Sequence, residues 1–182
     1  MIVALLGATA CTQPIVSPLP QSVRRIAILP PFRIDDRAER GPVSSNAPAL
    51  PSRTIGDVLA DQARIRLTEK GFNVIGSSAM RVATKNEVPS SPEMAAQIVR
   101  EANLDAAALY IELRRWEPTP DSRGMKADGV IVALDATIID PTTGAVLWQL
   151  HRPSKPVPIY GVVLTGQAHA IVAEKVVREI FQ

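Results

Sequence analysis

The chain has 182 residues, 46% of them apolar and 21% charged, which is enough for one globular domain with a real core and too little for two. Aromatic residues make up only 4%, so the core is expected to be built from Val, Ile, Leu and Ala. The formal net charge is +2 and no block of Lys or Arg stands out, which excludes the electrostatic footprint of a nucleic-acid binder.

The chain opens MIVALLGATACTQP, an uncharged run that ends at the single cysteine, Cys11. Residues 2–10 are too few to span a bilayer, which takes roughly 20 residues. They match the apolar stretch and small-residue cleavage site of an export signal, although nothing basic precedes them. On this reading the true start lies upstream or the chain is clipped. The small residues Ala8, Thr9 and Ala10 before the cysteine resemble the bacterial lipobox, after which a signal peptidase cuts and Cys11 carries lipid. The residue three before the cysteine is Ala8, where Leu is usual. The thiolate is the side-chain nucleophile suited to take a diacylglyceryl group, and a lone cysteine in an exported chain has no internal disulfide partner. A buried structural cysteine in a first strand is the alternative. Thr12 is not Asp, which by the retention rule of such lipoproteins implies the periplasmic face of the outer membrane. The expected organisation is a signal remnant at 1–10, a lipidated, palmitate-type anchor and stiff proline-containing tether at 11–22, and a periplasmic domain at 23–182.

Residues 23–32, VRRIAILPPF, read as a strand buried on both faces, ended by Pro30 and Pro31. Residues 33–51 have no periodicity and read as a long loop. A helix is expected over 53–70, capped by Thr54 with Asp57 in a capping box, with Ile55, Leu59, Ala63 and Leu67 inward and Gly71 as its stop. A short strand at 72–75 follows, then a helix at 92–102 capped by Ser91, with Met94, Ile98 and Val99 inward. Strands are expected at 104–117 and 128–140. The turn Asp140–Pro–Thr–Thr–Gly144 then returns the chain as a hairpin over 145–151, with Val146, Trp148 and Leu150 on one face. Residues 152–160 are proline-rich, and a last helix at 166–181 carries Ala168, Val172, Val176 and Ile180 on one stripe. The order β-α-β-(α)-α-β-β-β-α, with one bracketed helix of unassigned bounds, gives a single α/β domain with a mixed sheet and helices on at least one face.

Four phrases in this order, RRIAILPPF at 24–32, LTEKGFNVI at 67–75, DAAALYIEL at 105–113 and IIDPTTGAVLWQ at 138–149, resemble bacterial lipoproteins related to the TolB N-terminal, CsgG and LpoB-type envelope domains. Asp140, Thr143, Gly144, Leu147 and Trp148 fit a hairpin pattern common in that superfamily. The resemblance implies a TolB-N/CsgG-like fold. It also implies a non-catalytic binding or accessory module of an envelope assembly, such as a peptidoglycan synthase activator or a transport component. The insertions of a CsgG-type pore are lacking, and no functional contact carries over residue by residue.

Chemistry is sparse. His151 and His169 are the only histidines, and two distant histidines without a second cysteine supply no metal site. No phosphate loop, dinucleotide fingerprint or nucleophile elbow occurs. No cofactor is expected, and a hydrolase or transferase with an unrecognised site is the alternative to the binding module. A binding surface needs aromatic and Arg anchors, and Arg114, Arg115, Trp116 and Tyr160 are the candidates. On that reading, removing Trp116 weakens capture of an envelope partner and leaves stability almost unchanged. The bland alternative has Trp116 covering the sheet edge while the arginines stay solvated. Expected partners are the membrane through the anchor, an envelope protein, and further copies of the chain.

Overall fold

The structure is a computed structural model that describes residues 18–33, 54–119, 129–160 and 165–182. The element order is β1 (Arg25–Ile28), β2 (Phe32–Arg33), α1 (Ile55–Glu69), β3 (Asn73–Ile75), α2 (Ser77–Ala83), α3 (Pro92–Glu101), β4 (Ala107–Pro118), β5 (Gly129–Ile139), β6 (Val146–Pro158) and α4 (Thr165–Ile180). Cys11 and most of the expected tether lie outside the described residues.

The strands form one mixed sheet in the order β3-β1-β4-β5-β6, with β2 beside β4. The β3-β1-β4 part is parallel, and β4-β5-β6 is an antiparallel meander. The apolar run of β1 serves both faces. Ile26 and Ile28 join the core under α1 and α4, whereas Ala27 and Leu29 join a second core under α2 and α3. Helices thus cover both faces at the parallel end, as a strand apolar throughout requires. Pro30 and Pro31 interrupt the expected first strand rather than end it, and the chain resumes as β2 beside Glu112 and Leu113.

α1 begins as its sequence dictates. The Thr54 hydroxyl accepts from the Asp57 amide at 3.1 Å, and the Asp57 carboxylate accepts from the Thr54 amide at 3.2 Å. Its stripe of Ile55, Leu59, Ala63 and Leu67 is buried, and Gly71 at φ 89° ends the turn in a conformation that a side chain would strain. α3 starts at Pro92, with the Ser91 hydroxyl accepting from the Met94 amide. Met94 is only half-buried, and Ala95 takes the inward place with Ile98 and Val99. The bracketed helix is α2, which buries Met80.

The β5–β6 turn is held by Asp140, whose carboxylate accepts from the Thr142 amide and the Thr143 hydroxyl, both at 2.8 Å. These bonds, with Thr143 foremost, hold the Asp140 carboxyl below its ordinary value. β6 then runs on through Pro153, Pro156 and Pro158, residues read from the sequence as lying beyond the strand. Proline is tolerated there because β6 is an edge strand, so a missing N–H need not break the ladder. Irregularities after Val146 and between Arg152 and Lys155 reset the alternation. As a result Trp148 is buried and stacked on Phe181, while Val146 is 57% exposed and does not share its environment. Gly129, which starts β5, has no room for a side chain, since a Cβ there would lie 2.5 Å from the Val157 carbonyl oxygen.

Arg152 is the one arginine of the described residues buried in the core, at 3% exposure. Its Nε donates to Glu179 Oε2 of α4 at 3.0 Å, and a terminal nitrogen donates to the Val132 carbonyl. This pair ties the edge strand to the last helix.

Candidate partner-binding surface

The pleat of β4 decides where the candidate side chains go. In β5, Val130, Val132, Leu134, Ala136 and Ile138 face the α1/α4 core, so Ile131, Ala133, Asp135 and Thr137 belong to the opposite face. A bulge between Leu113 and Arg115 sets two residues of β4 against one of β5. It lets Arg114 and Arg115 share the face of Asp135, where strict alternation would separate them. Trp116 pairs with Val132 and so turns to the α4 side. The run Arg114–Arg115–Trp116 is therefore not one patch.

On the arginine side, Arg114 Nε lies 3.0 Å from Asp135 Oδ2, off the direction that would align its N–H, so the contact is an ion pair. Asp135 Oδ1 lies 2.6 Å from His151 Nδ1 on β6. A carboxylate only accepts, so His151 Nδ1 carries the proton. One terminal Arg114 nitrogen is 3.0 Å from Nδ1 and 3.4 Å from Nε2 of His151, which puts it over the ring face rather than along either lone pair. Arg115 pairs with Glu117 at 2.6 Å. Glu112 stands opposite Asp135 in the register. Two carboxylates facing each other across strands repel, and Arg114 with His151 offsets that repulsion.

Beneath this row lies Tyr110, 2% exposed, its hydroxyl buried and without a hydrogen-bond partner among the described residues. Burial, with Glu112, Asp135 and Glu93 nearby, pushes its pKa up to about 12, so it is a neutral phenol. The orientation of His151 by Asp135 is one that proton transfer can use. Among the described residues, however, the ring makes polar contacts with Arg114 and Asp135 and with no hydroxyl nucleophile. Among the described residues no group of three His, Cys, Asp or Glu side chains could hold a metal ion.

On the other side, Trp116 is half-buried against the α1/α4 core, with its ring edge-on to His169 at 6.0 Å between centroids. Removing it takes packing away, so its substitution carries a structural cost. Tyr160 lies two residues beyond β6 and is 82% exposed, with Lys175 Nζ 5.3 Å from its ring centre. Arg114 and Arg115 thus occupy the face opposite α4, while Trp116 and Tyr160 keep company with α4. Asp135 and His151 were not among the candidates. Counting back from the Asp140–Gly144 turn sets Asp135 against Leu150, and the irregularity after Val146 moves the pairing by one residue to His151, so no local signal in the sequence gave the pair.

A cleft of about 750 Å³ lined by Leu19, Val23, Arg24, Lys70, Phe72 and Gln182 opens where β1 begins, and it contains none of the four candidate residues. Among the described residues no helix is long and apolar enough to cross a membrane.

Comparison with solved structures finds the fold elsewhere. The PelC dodecamer from Paraburkholderia phytofirmans is similar over 90% of both chains, with a TM-score of 0.51 and 13% identity. The hypothetical protein CT253 from Chlamydia trachomatis is similar over 87% of this chain and 94% of its own, with a TM-score of 0.51 and 14% identity. The lipoprotein GNA1162 from Neisseria meningitidis has 18% identity over 86% of this chain and 96% of its own, with a TM-score of 0.47. No family model matches the chain, and no curated protein matches it. The shared property is the fold, a single-domain mixed α/β sheet packed with helices.

Proposed function

We propose that the chain is an accessory lipoprotein of a bacterial cell envelope, held through Cys11 at the periplasmic face of the outer membrane, and that it binds an envelope protein without catalysing a reaction. The observation that carries this reading is the fold, matched along nine-tenths of the chain, joined to a lone cysteine behind a run of small apolar residues. Each buried methylene of an acyl chain contributes about 0.8 kcal/mol, and stable anchoring takes more than one chain. A diacylated and N-acylated Cys11 meets that requirement.

The partner surface on this reading is the face of Arg114, Arg115, Asp135 and His151, which presents paired charges. Trp116 and Tyr160 form a second, separate contact beside α4. The name of the PelC structure, a dodecamer, supports self-association of this chain as well.

The test is fractionation of cells that express the protein from its natural gene. Cys11→Ser is expected to move the domain from the membrane to the soluble periplasmic fraction. Retention of the variant in membranes after a salt wash would overturn the anchor.

A further inference from the structure

The cleft where β1 begins combines apolar surface with cations. Leu19, Val23 and Phe72 are half-buried in its lining, and Arg24 and Lys70 are exposed beside them. Its volume, about 750 Å³, is within the range of small-molecule sites, and the lining contains no Asp or Glu. Among the described residues no carboxylate, that of the last residue Gln182 included, lies within ion-pair distance of either cation. Main-chain bonds fix the walls. The Val23 amide donates to the Pro20 carbonyl at 3.2 Å, and the Asn73 amide donates to the Arg24 carbonyl at 2.9 Å. The C-terminal ends of α1 and α4 also reach the cleft, each with about half a negative charge. The last carbonyls of α1 accept from the amides of Lys70, Gly71 and Phe72, and the Phe181 carbonyl accepts from Arg66. Two whole cations outweigh those satisfied ends.

We propose that this cleft binds the headgroup of an anionic phospholipid in the leaflet that holds Cys11. The proposal rests on the anchor reading above and adds a second contact with the same membrane. Pro18 lines the cleft and follows Cys11 by seven residues, so the chain between them spans at most about 25 Å. A domain anchored at Cys11 therefore keeps the cleft within reach of the headgroups, where their effective concentration is high. The lipid phosphate sits against Arg24 and Lys70, and its glycerol and upper acyl carbons lie on Leu19 and Phe72. Two contacts with one membrane set which end of the sheet faces the lipid. A single tether leaves the domain to turn.

The experiment uses the full chain carrying Cys11→Ser, so that no acyl group contributes. It is sedimented with vesicles of phosphatidylglycerol and phosphatidylcholine, and with vesicles of phosphatidylcholine alone. The readout is the ratio of the two affinities, in which any apolar contribution of residues 2–10 cancels. A cation near an anionic surface strengthens binding about fivefold, so two are expected to give a ratio of about 25 that falls with added salt. Arg24→Gln with Lys70→Gln is expected to bring the ratio near one. Lys85→Gln with Arg178→Gln removes the same charge from exposed positions outside the cleft and is expected to change the ratio by about twofold or less. Both pairs are expected to leave the melting temperature nearly unchanged, since all four side chains are exposed. Equal affinity for the two vesicles, or an equal loss for the two variant pairs, would overturn the lipid cleft and leave the anchor standing. Anionic binding that depends on Arg24 and Lys70, in a chain whose Cys11 takes no fatty-acid label, would support the cleft and overturn the anchor.

Discussion

The two ends of the sheet are built on different terms. At the parallel end, β1 is covered on both faces, and Ile26, Ala27, Ile28 and Leu29 are all fully buried. At the antiparallel end, one face packs on α4 and the other carries Glu112, Arg114, Arg115, Asp135 and His151. A strand buried on both faces has no polar position to spare, so the parallel end serves stability. The half-covered end can hold charge at the surface, and the proposed partner-binding face lies there.

The comparison breaks or sharpens under substitution. Leu109→Ala, near the start of β4 beside Ile28, removes a fully buried side chain and is expected to cost about 2–5 kcal/mol in urea unfolding. Arg115→Ala on the open face is expected to stay within about 0.5 kcal/mol, and an equal loss at both sites would abolish the contrast. Trp116→Ala is expected to cost about 2 kcal/mol, roughly half the cost of truncating a fully buried aromatic. If calorimetry found it thermally neutral while partner capture fell, Trp116 would belong to the binding surface alone. Glu179→Gln leaves Arg152 buried without its carboxylate. It is expected to cost about 2 kcal/mol, less than for a fully buried pair because Glu179 is itself 39% exposed.

At the start of α1, Thr54→Ala is expected to cost about 1 kcal/mol. Burial pushes the Asp57 carboxyl up, but the Thr54 hydrogen bonds and the Arg81 guanidinium, 2.7 Å away, outweigh it and hold the pKa below its ordinary value. A depressed folded-state pKa gives stability that is complete above the unfolded value, near pH 4, and is lost as the pH falls through the folded value. Melting temperatures from pH 6 to pH 2 are expected to fall more for the wild type than for Asp57→Asn, and parallel curves would contradict the capping role.

Much of this was legible in the sequence where a local rule decided the outcome. The Thr54–Asp57 box, the Ser91 cap, the Gly71 stop and the Asp140 turn each involve residues within a few positions of one another. What escaped depends on the neighbouring strand. The continuation of β6 through three prolines follows from its place at the sheet edge, which no local pattern reports. The division of Arg114 and Arg115 from Trp116 follows from a bulge defined by the register with β5. The Arg152–Glu179 pair joins residues that only packing brings together.

Intact mass spectrometry of the protein purified from membranes, from cells grown with a clickable fatty acid, tests the central claim most directly. The account predicts a mature chain that begins at Cys11 and carries the label there. An unlabelled polypeptide retaining residues 1–10 would contradict it.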